Sequence, residues 1–155
     1  MEKLDSLNQV AEFHKTFDAP ILKTPQIPSK ERCELRVALL QEELDELKAA
    51  INDHDLVGIA DALCDLQYVL SGAVLEFGLG ERFVELFNEV QRSNMSKACN
   101  TQQEADETIA HYKAKGEEAY AKPRGTKINV HRCSDDKVLK SIRYSPADLK
   151  SIIEK

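Results

Sequence analysis

The residues best placed to do chemistry in this 155-residue chain are carboxylates. Glu42, Glu43 and Glu46 share one short run, EELDE, and Asp61 and Asp65 share a second, DALCD, downstream of it. Acids three or four apart stack on one face if their segment is helical. Two such pairs on neighbouring helices would bring four carboxylates to one cleft, and like charges so close repel unless a cation joins them. All-oxygen donors select a hard cation, Mg²⁺ or Mn²⁺, over zinc. No Ser-His-Asp set, GxSxG or P-loop offers a nucleophile or phosphate cradle. His14, His54, His111 and His131 lack ligand spacing and read as surface or packing residues.

The segments that position these acids are helical by pattern. Around Leu40, the residues Cys33, Leu44, Leu47 and Ile51 fall within about 40° of one stripe. Glu43 falls about 60° from its centre and Glu46 about 120°, with apolar Leu39 and Ala50 between them. Asp45 and Glu42 point elsewhere and read as solvated. On the next helix Ile59, Leu63, Leu66 and Leu70 face one way and Val57, Cys64, Tyr68 and Leu75 another. Only a strip about 60° wide is left, holding Asp61, Asp65 and Glu76 with Gly58 and Gly72. A helix apolar on most sides is expected to be buried, and buried carboxylates to be paired or metal-bound. No Lys or Arg is expected beside either strip.

The wider pattern predicts an all-α fold, a helical bundle with a short C-terminal β-hairpin and a terminal helix. A single domain, 1–155, is expected, with a helical core to about residue 122. Helices are predicted from about Asp5 to Phe17, from a Ser29 cap to Ile51, from Asp55 to Phe77 and from Glu81 to Arg92. Pro20, Pro25 and Pro28 make the first connector extended. Thr101 and Glu104 form a capping-box pattern opening a helix to about Ala121. Lys127–Arg132 and Lys137–Lys140 read as the two hairpin strands, and Ser145-Pro146 as the start of the last helix.

A net charge of −6 and a pI near 5.3 exclude a sequence-independent grip on nucleic-acid phosphates. A phosphate-bearing partner would therefore need a cation as mediator. The amino-terminal stretch has no signal-like apolar run, and no stretch is expected to reach the length and apolarity of a membrane span. A cytoplasmic protein with neither membrane nor nucleic-acid partner is expected. The four cysteines, Cys33, Cys64, Cys99 and Cys133, form no CxxC pair and read as ordinary thiols.

EELDE followed by Ile59-Ala60-Asp61-Ala62-Leu63-Cys64-Asp65-Leu66-Gln67-Tyr68-Val69 resembles the MazG-like all-α nucleoside triphosphate pyrophosphohydrolases. Asn94-Met95-Ser96-Lys97, Asp136-Lys137-Val138-Leu139-Lys140 and Tyr144-Ser145-Pro146-Ala147-Asp148-Leu149 are similar to elements of a phosphoribosyl-ATP-pyrophosphatase-like subgroup. Many members carry ExxD in the second element, where Ala62 stands here and Asp61 with Asp65 gives DxxxD. The resemblance implies Mg²⁺-dependent hydrolysis of a nucleoside triphosphate to monophosphate and pyrophosphate, in a homodimer or homotetramer. It implies Glu43, Glu46, Asp61 and Asp65 as metal ligands and Glu42 and Glu43 as catalytic, Glu42 positioning or deprotonating water. Asn94 and Lys97 would touch phosphate or nucleotide, with Arg92 adding charge. The alternatives are phosphoribosyl-ATP hydrolysis and a non-catalytic metal-binding bundle.

Overall fold

The structure, a computed structural model, describes residues 4–155; the first three residues of the amino-terminal stretch read for a leader lie outside it. Residues form two compact units, one ending at Phe83 and the other beginning at Val84.

The first unit holds α1 (Ser6–Thr16), α2 (Lys30–Asn52) and α3 (Leu56–Glu76). Side-chain oxygens open the two long helices: Ser29 accepts from the Arg32 amide and Asp55 from the Val57 amide. A cap of this kind is worth about 1 kcal/mol. The short Asp53–Asp55 connector makes α2 and α3 antiparallel. Their register shows in three places: Arg32 against Glu76, Arg36 against Gly72 and Ala50 against Gly58. α1 lies on α3, with Phe13 edge-on to Tyr68 at 5.6 Å and Gln67 reaching Ser6. Gly78 ends α3 with φ +68°, and a Cβ there would sit 1.9 Å from the Thr24 carbonyl oxygen, so only glycine fits. The proline-rich connector is thereby strapped to the end of α3, with Leu22 and Gln26 amides donating to Leu75 and Phe77 carbonyls.

α3 departs from expectation in burial. Ser71–Glu76 are buried, but Leu56, Val57 and Leu63 are 76%, 79% and 52% exposed. α1 and α2 cover two sides of this helix, and among the described residues of the unit nothing covers the third. With 21 residues and a mean hydropathy of 1.3 over its most apolar window, α3 is also long and apolar enough to cross a membrane by those two measures, contrary to expectation. Asp61 and Asp65 near its middle would be costly in hydrocarbon.

A 3-10 turn at Gly80–Arg82 leads into α4 (Phe83–Met95), which from Val84 on belongs to the second unit with α5 (Gln102–Lys113), β1 (Ala119–Arg124), β2 (Lys127–Arg132) and α6 (Leu149–Ile153). Its core is Cys99, Ala105, Val130 and Leu139. Thr101 caps α5 by accepting from the Glu104 amide, while the Glu104 carboxylate takes the Asn100 amide and the Ser141 hydroxyl. α5 stops well short of Ala121: Gly116 turns the chain at φ +81°, and Ala119–Arg124 is a strand. β1 pairs antiparallel with β2, whereas the 137–140 segment makes only a single bridge, Val138 to His131. Pro123 is tolerated because its partner Ile128 gives both its amide and its carbonyl to Cys99 on the other side. α6 starts later than Ser145-Pro146 suggests, capped by Asp148, because the Ser145 amide is already bound by Ser96 Oγ.

Candidate functional site

Continuing the α2–α3 register inward from both ends sets Glu43 opposite Asp65. The electrostatics agree: partial burial, then repulsion from Asp65, Glu46, Glu42 and Asp61 in that order, pushes the Glu43 carboxyl above its ordinary value. Among the described residues no cation offsets this push. The acids that the two sequence runs nominate are thus brought together on one helix pair. Glu43 is half-buried, whereas Glu42, Glu46, Asp61 and Asp65 are exposed, which corrects the expectation of buried acids on α3. The uncovered third side of α3 is the reason. Asp45 belongs elsewhere, bonded to Lys48 at 2.7 Å and held below its ordinary carboxylate value mainly by that bond.

The donor set fits a hard divalent cation in chemistry: several carboxylates, no competing Lys or Arg among the described residues, and a mutual repulsion that a cation would relieve. Among the described residues no three His, Cys, Asp or Glu side chains are closed tightly enough to hold a metal as they stand. Repelling carboxylates splay, so a closed ring is not their resting arrangement.

The far end of the same helices holds what sequence reasoning missed. Glu76, placed on the acidic strip, is 1% exposed and is bound by Arg32 and Arg36 of α2, so that end of the strip does have cationic partners. Burial alone would push its carboxyl up, but the bonds and charges of Arg32 and Arg36 outweigh this and hold it below its ordinary value. Arg36 in turn meets His14 Nε2 at 3.2 Å, and His14 Nδ1 lies 2.8 Å from the Pro20 carbonyl oxygen. The signal was available: Arg36 lies about one turn before Leu40 on the apolar stripe, where an arginine needs a buried partner.

Asn94 and Lys97, nominated for phosphate, lie in the second unit at the end of α4. Lys97 Nζ donates to Asn94 Oδ1 at 2.8 Å. Arg92 is already held by Glu89 through two bonds of 2.7 Å and also donates to the Pro146 carbonyl.

The model of the phosphoribosyl-ATP pyrophosphohydrolase family matches residues 10–94, a span that includes every carboxylate of the site. The chain belongs to this family. A pyrophosphohydrolase acting on nucleotide-like substrates is what that membership supports, and it agrees with the MazG-like resemblance read from the two acidic runs. The chain is also similar to an uncharacterized protein of Acanthamoeba polyphaga mimivirus, 23% identical, with 99% of this chain and 97% of that one covered.

Proposed function

We propose that this pyrophosphohydrolase is a Mg²⁺-dependent enzyme cleaving a nucleoside triphosphate to the monophosphate and pyrophosphate. The observation carrying the reading is the crowding of Glu42, Glu46, Asp61 and Asp65 around Glu43, which adds to partial burial in raising the Glu43 carboxyl, with no cation among the described residues offsetting it. A net charge of −6 makes the same point at the scale of the chain, since such a protein meets a polyphosphate through a bound cation.

Glu43, Glu46, Asp61 and Asp65 are the residues that would hold Mg²⁺, with Mn²⁺ as a substitute. Bound there, the ion would supply charge neutralisation on the phosphates and a more acidic water. Glu42, one residue from Glu43 and facing another way on α2, is assigned to orient the attacking water and accept its proton. The water oxygen forms a bond to the α-phosphorus while the bond from that phosphorus to the bridging oxygen breaks. Pyrophosphate leaves with the bonding pair, and the hydroxyl gained by phosphorus becomes part of the monophosphate.

The exposed apolar residues of the first unit support self-association. Val37, Leu44 and Ile51 on α2, with Leu56, Val57 and Leu63 on α3, are 39–79% exposed. A second copy covering them would make a dimer, or paired dimers, of this family member and would enclose the acids on the same helices.

The test is a panel of nucleoside triphosphates, deoxynucleoside triphosphates and phosphoribosyl-ATP with Mg²⁺, hydrolysed in ¹⁸O-water. Pyrophosphate release with label only in the monophosphate is expected. Orthophosphate release, or label in pyrophosphate, overturns attack at the α-phosphorus, and turnover confined to phosphoribosyl-ATP would replace the substrate assignment. Light scattering of the full chain should give a mass of at least two copies.

A further inference from the structure

The second unit gathers positive charge around one tyrosine. Lys140 Nζ lies 4.3 Å from the Tyr144 ring centroid, and Ser93 Oγ donates to the Tyr144 hydroxyl oxygen at 3.2 Å. Ser93's bond holds the phenol below its ordinary value, against a push upward from burial, with the charges of Lys140, Lys97 and Arg92 adding to the lowering. These cations come from two separate stretches of chain, the end of α4 and the segment after Leu139.

Hydrogen bonds fix the two stretches to each other. The Ser141 amide donates to the Lys97 carbonyl at 3.0 Å, the Ser145 amide to Ser96 Oγ at 3.0 Å, and the Asp148 amide to Glu89 at 2.9 Å. The cations differ in what they have left to give. Arg92 is spent on Glu89, whose carboxyl is pulled down to about 2 by that pairing and by the Asp148 amide. Lys97 gives one bond to a neutral amide, and among the described residues neither Lys97 nor Lys140 has a carboxylate within ion-pair distance. Tyr144 accepts from Ser93, so its own hydrogen is left to donate. A lysine at a helix C-terminus is ordinarily explained by the helix dipole, which accounts for Lys97 but not for Lys140, brought in from another segment.

We propose that Lys97, Lys140 and Tyr144 form an anion-binding site in the second unit that takes a phosphate chain. Two ammonium groups and a phenol hydrogen held on a cross-braced frame suit the several oxygens of a diphosphate better than a single carboxylate. Identifying the ligand as the phosphate chain of the substrate rests on the function proposed above; the anion site itself does not.

The experiment titrates the full chain, free of metal, with inorganic pyrophosphate, with inorganic phosphate and with a non-hydrolysable α,β-methylene triphosphate, by calorimetry. Pyrophosphate is expected to bind more tightly than phosphate. Lys140→Met and Lys97→Met should each weaken it by about tenfold, the worth of one charge-assisted bond. Lys140→Arg should retain most of the affinity and Lys150→Met all of it. Tyrosine absorbance gives a reading that a structural role would not move: the Tyr144 phenol, held below its ordinary value by Ser93, is the component lost in Tyr144→Phe, and it shifts upward when pyrophosphate binds. Wild-type affinity in both Met variants, or a Tyr144 titration indifferent to pyrophosphate, overturns the site. If Lys140→Met fails to fold, Lys97→Met and Tyr144→Phe carry the same comparison. Intact pyrophosphate binding without turnover of any triphosphate would remove the proposed function and leave the site. Turnover with KM unchanged in Lys140→Met would limit the site to free pyrophosphate if the methylene analogue also binds that variant as it binds wild type.

Discussion

Two levels of the α2–α3 pair carry the same kind of residue in opposite circumstances. At one end Glu76 is buried and held by Arg32 and Arg36; near the middle, Glu43 is crowded by four further acids, and among the described residues no cation offsets them. Both lie on faces where α2 meets α3, Glu43 read beside the apolar stripe of α2 and Glu76 on the acidic strip of α3. A carboxylate answered by guanidinium groups is a structural joint, because it is most stable when nothing else binds. Carboxylates that answer only one another leave a charge deficit that invites a ligand. Acidity alone therefore does not mark the candidate site; the missing counter-charge does.

The largest effect expected from breaking this contrast is at the joint. Glu76→Gln leaves two guanidinium groups without their carboxylate, one of them largely buried, and should cost about 3–5 kcal/mol in urea denaturation. A loss below about 1 kcal/mol would show that the pair does not hold the helices together. The same group sets an acid limit. Its folded-state pKa lies below its ordinary value of 4.5, so its contribution is present above that pH and is lost as pH falls through the folded pKa. Wild type should therefore lose stability below about pH 4.5 more steeply than Glu76→Gln.

Next is the open acid cluster. Asp65→Asn keeps side-chain shape but removes a charge from the group around Glu43, and pyrophosphate release at saturating Mg²⁺ should fall about a hundredfold or more, about 2.7 kcal/mol of barrier. Asp45→Asn, on the same stretch of α2 as Glu43 but tied to Lys48, should stay within about twofold of wild type. Equal activities in the two variants would remove Asp65 from the site.

These two levels were not equally legible in the sequence. The helix starts were readable because Ser29, Asp55 and Thr101 are local caps, and the clustering of the acids followed from a spacing that a helix converts directly into geometry. Arg36 was missed because an arginine on an apolar stripe declares its partner only when the facing helix is placed in register. The burial of α3 was overestimated for a related reason. Periodicity says which faces are apolar and nothing about whether this chain has an element to cover them. The hairpin was half legible: Lys127–Arg132 is a strand, but Pro123 concealed its partner, since the missing amide matters only if the register demands it.

Mg²⁺ sharpens the comparison more gently. A cation that binds only the folded state at tenfold its Kd should stabilise wild type by about 1.4 kcal/mol. The gain should disappear in Asp65→Asn and survive in Lys140→Met. Melting that ignores millimolar Mg²⁺ and Mn²⁺ in wild type would separate the acids from any metal role.

The smallest effect is the one that most cleanly distinguishes a site from a joint. In EDTA, Asp65→Asn should be as stable as wild type or more stable by a few tenths of a kcal/mol, the usual size of one like-charge contact on exposed helical surface. Asp65 lies on an exposed part of α3, and the amide takes up nearly the same space, so little packing is lost. What changes is repulsion: Asp65 is the neighbour that raises Glu43 most, and removing its charge relieves that push in the metal-free protein. Glu76→Gln must move the other way under identical conditions, because its partners are cations rather than anions. Denaturation of the two variants in EDTA therefore gives opposite signs if the acid cluster binds a ligand and the Glu76 joint holds the fold. A loss of more than about 1 kcal/mol in Asp65→Asn would place it with Glu76 among the structural residues, and the crowding around Glu43 would then be packing with a charge cost instead of a site awaiting its cation.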